Sequence, residues 1–478
     1  MQTIMVAVSL ALPWLLGIAV LLALGWPRTD RATAGRDGPW LLRIGFGYVV
    51  GAVLVTIWLR ALSLASIPFG RASAALPVLA IAAALAYWGL RTKRWSLPDM
   101  PSVRAALALP LVRWQRTVWI VLLAWIALRF ALVAVEIAWR PLYPWDAWVQ
   151  WATKARVWYE LGRIVPFAGP EQWLAGTLGL YFDAAPGYYA TVPLLQVWTC
   201  VMIGLWDDSA MNWPWLAMLC SLTVAIYAVL RAETVAPLPA LIGAYIVASL
   251  PLLDVHAALA GYADLPQAAV YTLAALATYR WALRRDRQDG IVALMLACAC
   301  PMIKNPGVIW ALTLLPAVIV TLLPRRGLRI LCVGAAVAAL VAIVLARTQW
   351  SVLGYAMRLD FTPAWRELVR TYFLMGNWNL LWYGLIALWI VSARRLFKPP
   401  LLPLAVTIVS GVAFLSIVFS ISEAAVWMAD LTTANRATLH LAPLLIAFGV
   451  LTWNQWNTAA PAPQPSESRR PELASGPA

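Results

Sequence analysis

The chain has few charged residues, few histidines and few cysteines, and each of these low counts argues against certain classes of protein or site. Only 12% of its 478 residues are charged and 63% are hydrophobic, whereas soluble domains are about 25% charged and about 45–50% apolar. The only histidines are His256 and His440, too few for a histidine metal site. The five cysteines all lie in apolar segments, where small buried side chains explain them better than disulfides or metal ligands. Neither a Walker loop nor a dinucleotide-binding glycine fingerprint occurs, which disfavours nucleotide-powered transport within this chain.

Long apolar runs fill most of the sequence. They are about 20 residues long, enough to cross a hydrocarbon core of roughly 30 Å. We therefore predict an all-α, polytopic transmembrane helical bundle with about 13 spans. The predicted spans are residues 4–25, 41–62, 75–91, 117–139, 213–231, 236–253, 262–283, 289–302, 306–323, 328–346, 372–393, 400–421 and 438–454.

The distribution of Lys and Arg predicts the orientation of these spans. No basic residue precedes the first apolar run, which favours a retained helix with its N-terminus outside over a cleaved signal. The basic segments then all fall on the cytoplasmic side, as the positive-inside rule requires. They are residues 26–40, 91–116, 280–288, 324–329 and 394–398. The net charge of +15 is explained by these loops, so no nucleic-acid partner is expected.

We expect a multi-pass protein of the inner (plasma) membrane, with the lipid bilayer as its first partner. Residues 1–116 would form an N-terminal three-helix extension, and residues 117–454 the main transmembrane module, with a large outer loop at 139–212. The Pro/Ala/Ser-rich residues 455–478 predict a disordered cytoplasmic tail.

The outer loop begins with YPWDAWVQWATKARVWYE, residues 143–160. On an α-helical wheel, Asp146, Gln150 and Lys154 share one face, and the four tryptophans of this segment lie opposite. The pattern predicts an amphipathic helix along the outer leaflet, with its tryptophans at headgroup depth. Asp146 would then be either a helix cap or a functional carboxylate at the membrane surface.

Later in the same loop, YFDAAPGYY places Asp183 before a Pro-Gly turn and an aromatic pair. Tyr188 and Tyr189 are first explained as interfacial anchors, although their rings also suit stacking on a sugar. The apolar residues 187–206 that follow predict a shallow or re-entrant helix.

Three polar islands occur at the predicted outer ends of later helices. They are GYADLP with Asp264, MIKNPGV with Lys304, and ISEAAVWMADLTTANRATLHLAP with Glu423, Asp430, Arg436 and His440. Each residue alone has a structural explanation: a helix cap, a snorkelling lysine, a membrane boundary and a packing histidine. Ionisable groups in apolar segments are costly, however. Together they predict acids and cations around one outer cavity, as chemistry on an anionic lipid-linked substrate requires.

Taken in order, these segments resemble the GT-C superfamily of membrane glycosyltransferases. That superfamily includes protein O-mannosyltransferases and the enzymes that transfer aminoarabinose to lipid A. WDAWVQWATKA, YFDAAPGYY, GYADLP, IKNPG and NRATLHLAP correspond to its acidic first outer loop, aromatic stretch, helix start, lysine element and final arginine element. The similarity covers about residues 117–454. It departs from the family in its three additional N-terminal helices and in KNPG, which replaces the more familiar KNEG.

The resemblance implies an inverting transfer of one hexose or pentose from a polyprenyl-phosphate donor to a glycan, lipid or protein acceptor on the outer face. Asp146 would be the general base, and Lys304, Arg436 and His440 would bind the donor phosphate. Some members use a divalent metal ion, for which Asp146 and Asp183 are the candidates; no other cofactor is implied. Acceptor-orienting or supporting roles would fall to Asp183, Asp264, Lys154, Tyr188 and Tyr189. The alternatives are a transporter or flippase of lipid-linked sugars and an outer-face O-antigen-type ligase.

Overall fold

The fold is all-α, as predicted. The computed structural model of the chain describes residues 2–28, 39–92, 94, 109–176, 181–348, 351–352, 355–356 and 364–458. Most of the predicted tail, from residue 459 onward, lies outside these ranges. Strands within them are two short pairs, Phe167–Ala168 with Tyr181–Phe182 in parallel, and Ser351–Val352 with Tyr355–Ala356 in antiparallel orientation.

The α-helices are numbered here in chain order. The first half of the chain contains α1 (Gln2–Leu24), α2 (Pro39–Leu64), α3 (Arg71–Arg91), α4 (Arg113–Trp139), α5 (Thr153–Leu161), α6 (Pro170–Leu174), α7 (Thr191–Ile203), α8 (Trp213–Ala232), α9 (Pro237–Ala248) and α10 (Pro251–Ala258). The second half contains α11 (Asp264–Arg284), α12 (Arg287–Ala299), α13 (Gly307–Leu312), α14 (Leu315–Leu322), α15 (Gly327–Arg347), α16 (Trp365–Val369), α17 (Leu381–Leu396), α18 (Leu402–Ile421), α19 (Thr433–Leu439) and α20 (Ala442–Thr458).

Several short non-α turns connect them. Ala147–Ala152 and Arg370–Leu374 are π-helical, and Ala210–Asn212, Cys300–Met302, Gly376–Trp378 and Glu423–Met428 are 3₁₀ turns.

Within the described residues, 6 helices are long and apolar enough to cross a membrane, or up to 8 if each bent pair counts as one span. The long helices are α1, α2, α3, α4, α8 with its preceding turn, and α18. The bent pairs are α9 with α10, at 55°, and α19 with α20, at 51°. Apolar side chains are exposed along α4, among them Leu128 and Leu132, as expected for a helix that faces lipid.

Helix α11 is the centre of the bundle. Every residue from Asp264 to Arg280 is buried, so this helix is enclosed on all sides. It packs against α8, α12, α18 and α20. A carboxylate at its first residue is therefore held inside the protein, and the arginines at its last turn emerge at the opposite end. Twenty residues of α-helix separate Asp264 from Arg284, a distance of about 30 Å at 1.5 Å per residue.

The first three helices pack into this bundle. Helix α2 lies against both α1 and α8, and its Phe46 and Val49 belong to the main hydrophobic core. Side-chain hydrogen bonds also cross from this region to the rest of the chain. Trp26 donates to Asp289 at 2.6 Å, and Ser221 donates to the carbonyl of Gly45 at 2.6 Å.

Candidate functional site

Asp264 is the hub of a cluster of ionisable side chains. It is fully buried at the first turn of α11. Its Oδ1 accepts from Nζ of Lys304 at 2.7 Å and from Nε2 of His440 at 3.1 Å, and its Oδ2 accepts from Nε of Arg436 at 3.0 Å. His256 adds Nδ1 at 4.0 Å from Oδ2. A buried carboxylate is costly unless it is paired and hydrogen-bonded, and these donors meet both conditions.

Arg436 joins this hub to the outer loop. Its Nη1 donates to Oδ2 of Asp146 at 2.6 Å, while its Nε holds Asp264. The face of Tyr262 lies 4.5 Å from the guanidinium carbon, an arrangement suited to a cation–π contact. One planar arginine therefore fixes two carboxylates that are far apart in sequence. The Arg436 and Asp146 side chains remain 25% and 26% exposed, so this edge of the cluster is accessible.

A π-helical turn at Ala147–Ala152 directly follows Asp146. Such turns rotate successive side chains by less than an α-helix does, and they are frequent at functional sites. Gly261 permits the approach of this turn to α11: its φ is +98°, and a Cβ there would lie 2.7 Å from both the Ala147 and Leu142 side chains. The glycine three residues before Asp264 thus allows Asp146 to reach Arg436.

Lys304 lies in a break between α12 and α13, and the sequence predicted a break at this position. The turn is closed by a hydrogen bond of 2.8 Å from the Gly307 amide to the Lys304 carbonyl. A Cβ at Gly307 would overlap the carbonyl of Cys300 and lie 2.9 Å from Gln267, so only glycine fits. The Lys304 side chain is 17% exposed and reaches Asp264 from the accessible side.

The N-terminal helices support this break. Arg60 of α2 donates to Oγ1 of Thr191 at 2.7 Å, and Thr191 donates to the carbonyl of Met302 at 2.5 Å. Met302 lies two residues before Lys304. No local sequence pattern identifies Arg60 in this role, because its partner is 131 residues away.

Helix α19 is held from both sides. Asp430 accepts hydrogen bonds from the amides of Thr432 and Thr433 at 2.8 and 2.9 Å, as a cap at the start of the helix. Nε1 of Trp378 donates to Asn435 at 2.8 Å on the buried side. Arg436, next in the chain, is thereby directed toward the carboxylates. Asp430, which the sequence grouped with the unusual charges, has this structural use.

The predicted amphipathic division of the first outer segment is wrong in part. Trp145 and Trp148 are exposed, but Trp151 and Trp158 are buried, and so is Lys154 from the opposite face of the predicted wheel. The segment packs on α7 as well as facing outward. The wheel assumed continuous α-geometry, whereas the π-helical turn changes the register between Asp146 and α5.

Lys154 and Asp183 form a second, separate ion pair. Their closest atoms are 3.1 Å apart and both side chains are buried. Nζ of Lys154 also donates to the carbonyl of Ala185 at 2.6 Å, and the Ala185 amide donates to Asp183 at 2.7 Å. Burial lowers the pKa of Lys154, and the neighbouring Asp183 carboxylate partly offsets that effect. In the part of the chain that the structure describes, no hydrogen bond or ion pair joins this pair to the Asp264 cluster.

The two adjacent tyrosines, Tyr188 and Tyr189, have different surroundings in the structure. Tyr188 packs on the buried Trp151, with ring centroids 4.9 Å apart, whereas Tyr189 is 39% exposed. Helix α7, which follows, is short and buried along its whole length. At 13 residues it is about 20 Å long, too short to cross a bilayer. The sequence predicted a helix of this non-spanning kind at residues 187–206.

The two metal candidates do not share a site. Asp146 is bound by Arg436 and Asp183 by Lys154, so each carboxylate is already matched with a cation. Among the described residues, no group of three or more His, Cys, Asp and Glu side chains is placed to hold a metal ion. Two separate carboxylates, each paired with a cation, do not fit a divalent ion.

Of the predicted site residues, Asp146, Asp264, Lys304, Arg436 and His440 converge. His440 lies behind Asp264 and is only 2% exposed, which suits support of the carboxylate better than direct contact with a donor phosphate. Reasoning from sequence did not assign His256, Tyr262, Thr191 or Arg60 to the site. Of these four residues, only Tyr262 lies inside a motif that the sequence pointed to, GYADLP.

The accessible edge of this cluster presents a carboxylate beside two cations. Oδ2 of Asp146 is bound to Arg436, so its Oδ1 is the oxygen available to a hydroxyl group. Lys304 uses one N–H on Asp264 and retains others for an anion. The arrangement can therefore accept a proton and neutralise a leaving anion at adjacent positions.

No family model, curated protein or solved structure matches this chain.

Proposed function

We propose that this protein is a membrane glycosyltransferase of the GT-C type, which moves a sugar from a polyprenyl-phosphate donor to an acceptor hydroxyl. The observation that supports this most is the bridge made by Arg436 between Asp146 and Asp264, with Lys304 on the same Asp264. It joins a candidate base and two candidate phosphate-binding cations in one accessible cluster.

In the proposed reaction, the acceptor oxygen attacks the anomeric carbon as the bond from that carbon to the phosphate oxygen breaks. Oδ1 of Asp146 takes the hydroxyl proton, and the polyprenyl phosphate leaves with the electron pair of the broken bond. Lys304 and Arg436 stabilise the charge that develops on the leaving phosphate. Because attack and departure occur on opposite sides of the anomeric carbon, its configuration inverts.

Asp264 acts in this scheme as a positioning residue. Its burial and its bonds to Lys304 and Arg436 hold both cations without using their exposed surfaces. The donor phosphate competes with Asp146 for the guanidinium of Arg436. Donor binding would thus loosen the Arg436–Asp146 pair and release the base for the acceptor.

The test is Asp146→Asn, which keeps the size of the side chain and removes the base. We expect sugar transfer in membranes, from a panel of radiolabelled polyprenyl-phosphate hexoses and aminopentoses, to fall by about 10²-fold or more. Glu160→Gln is the matched control, since Glu160 lies on α5 in an exposed pair with Arg156. Transfer by Asp146→Asn at the rate of the control would refute the assignment of the base.

The proposal includes the predicted topology: about 13 spans in the inner (plasma) membrane, with the cluster on the outer face. An impermeant thiol reagent should then label Glu160→Cys in intact cells and Arg325→Cys only after permeabilisation. Both positions are exposed in the structure. Labelling with the opposite pattern would place the cluster on the cytoplasmic face.

A transporter of lipid-linked sugars is the second candidate, because another charged network lies at the far end of α11. Arg280 donates to Asp289 at 3.0 Å and approaches Glu233 at 3.4 Å. A path through the protein would need polar groups near both membrane faces. Carrier-dependent movement of a radiolabelled polyprenyl-phosphate sugar across proteoliposomes, without any glycosylated product, would favour this alternative.

A further inference from the structure

A cavity of about 810 Å³ lies at the C-terminal end of α11, remote from the Asp264 cluster. Its walls come from the ends of α8, α11, α12 and α20, together with Arg28 after α1. About 30 Å of helix separates it from Asp264, which is close to the thickness of a hydrocarbon core. If the cluster faces one side of a bilayer, this cavity opens at the other.

The cavity is lined by four arginines and two acids, which leaves an excess of two positive charges. The arginines are Arg28, Arg284, Arg285 and Arg287, and all four are exposed to solvent. Each acid is already engaged: Glu233 accepts from Arg284 at 2.8 Å, and Asp286 caps the first turn of α12. The guanidinium groups in excess therefore suit an anion.

A buried network keeps the floor of the cavity rigid. Arg280, which is nearly inaccessible, connects Glu233 to Asp289. Asp289 in turn accepts from Nε1 of Trp26 at 2.6 Å, in the segment that leads to Arg28. The charged wall is thus held by contacts within the bundle, so a ligand would find it already formed.

The uncharged part of the wall is mixed: Thr234, Gln288, Asn454 and Gln455 are polar, and its apolar part helps to identify the ligand. Leu283, Pro400 and Leu451 line the cavity beside the arginines. A free phosphate ion would leave this apolar surface unused, whereas the glycerol and first acyl carbons of a phospholipid would cover it. Basic pockets between helices at a cytoplasmic membrane face are known binding sites for anionic headgroups. We propose that this cavity binds the phosphate headgroup of an anionic phospholipid.

The test uses the full-length protein in detergent micelles, with thermal unfolding as the measurement. Short-chain phosphatidylglycerol is the probe, and short-chain phosphatidylcholine and inorganic phosphate are the comparison ligands. We expect phosphatidylglycerol to raise the unfolding temperature in a saturable manner, and the other two to raise it much less. An equal effect of phosphatidylcholine would overturn the preference for an anionic headgroup. An equal effect of inorganic phosphate would show an anion site that is not a lipid site.

The test variant is Arg28→Gln combined with Arg287→Gln. Each arginine near an anionic headgroup is worth about fivefold in affinity, so the apparent dissociation constant should rise by roughly 30-fold. Arg325→Gln with Arg326→Gln is the matched control, because both arginines are exposed on the same end of the protein and neither lines the cavity. Both variants should unfold near the wild-type temperature without lipid. Equal weakening in the control would show general attraction to basic loops and would overturn the proposal.

Discussion

Asp264 is the residue on which the cluster most depends, because its two oxygens hold two cations and a histidine. Asp264→Asn removes the charge and leaves Lys304 and Arg436 poorly compensated. Loss of one partner of a buried pair costs about 3–5 kcal/mol, and we expect about 2–4 kcal/mol because both cations keep some exposure. Denaturant titration in mixed micelles measures the free energy of unfolding. Glu160→Gln, in an exposed pair, should change the free energy of unfolding by less than about 1 kcal/mol. A similarly small change in Asp264→Asn would show that Asp264 does not stabilise the fold.

The Lys154–Asp183 pair predicts a dependence on pH. Because burial lowers the pKa of Lys154 in the folded protein, its charged form destabilises the fold at neutral pH. Asp183→Asn removes the charge that offsets this effect, so we expect a lower unfolding temperature than wild type at about pH 7. The unfolded chain binds more protons than the folded one above the folded pKa of Lys154. The stability linked to this lysine therefore rises with pH. The difference in unfolding temperature between Asp183→Asn and wild type should narrow toward about pH 9.5.

Thermal unfolding of both proteins over this pH range is the measurement. A difference that stays constant or widens as the pH rises would show that Lys154 is not the group responsible. Lys154→Met in the Asp183→Asn background is the control, because it removes the titrating amine and should abolish the narrowing.

At the scale of an element, the π-helical turn after Asp146 and the left-handed Gly261 determine whether the outer loop reaches α11. In Gly261→Ala, the new methyl group would meet Ala147 and Leu142, and the backbone would be strained at its φ of +98°. We expect a loss of about 1–3 kcal/mol of stability from overpacking. Sugar transfer per folded molecule should fall at least about tenfold, because Asp146 would be displaced from Arg436.

Gly187→Ala is the matched control for this change. It lies in the same outer loop, and a Cβ there would meet nothing within 4 Å. Its transfer rate and unfolding temperature should stay near wild type. Equal effects of the two substitutions would indicate general disturbance of the loop, without any specific role for the contact at Gly261.

The sequence predicted most helices and the break at Lys304, because apolar runs and a Pro-Gly pair are local signals. It missed the register of the segment after Asp146, since an α-helical wheel does not show a π-helical turn. It also treated residues 236–253 as one straight span, where Pro251 starts a new helix at an angle of 55°.

The convergence of Asp146, Lys304 and Arg436 was expected from their common predicted side of the membrane. Periodicity along single segments could not show that Asp264 is buried beneath both cations, because that depends on how α11 is enclosed. Arg60 illustrates the same limit: its partner Thr191 lies 131 residues further along the chain. The sequence thus predicted that these residues converge, but it did not predict which side chains form ion pairs with each other.

For the whole molecule, the packing of α1–α3 bears on the predicted division at residue 116. Trp26, Gly45 and Arg60 contact α12, α8 and α7 through side-chain hydrogen bonds, and α2 shares the main core. We expect a chain that starts at residue 117 to aggregate on extraction from the membrane, because removal of α2 exposes the face of α8 that it covers. Size-exclusion chromatography in detergent measures this, with a chain ending at residue 458 as the control that should elute as a single symmetric peak. If the chain from residue 117 also elutes as one stable peak, the three N-terminal helices are a separable extension, and the contact from Arg60 to the Lys304 turn is dispensable for folding.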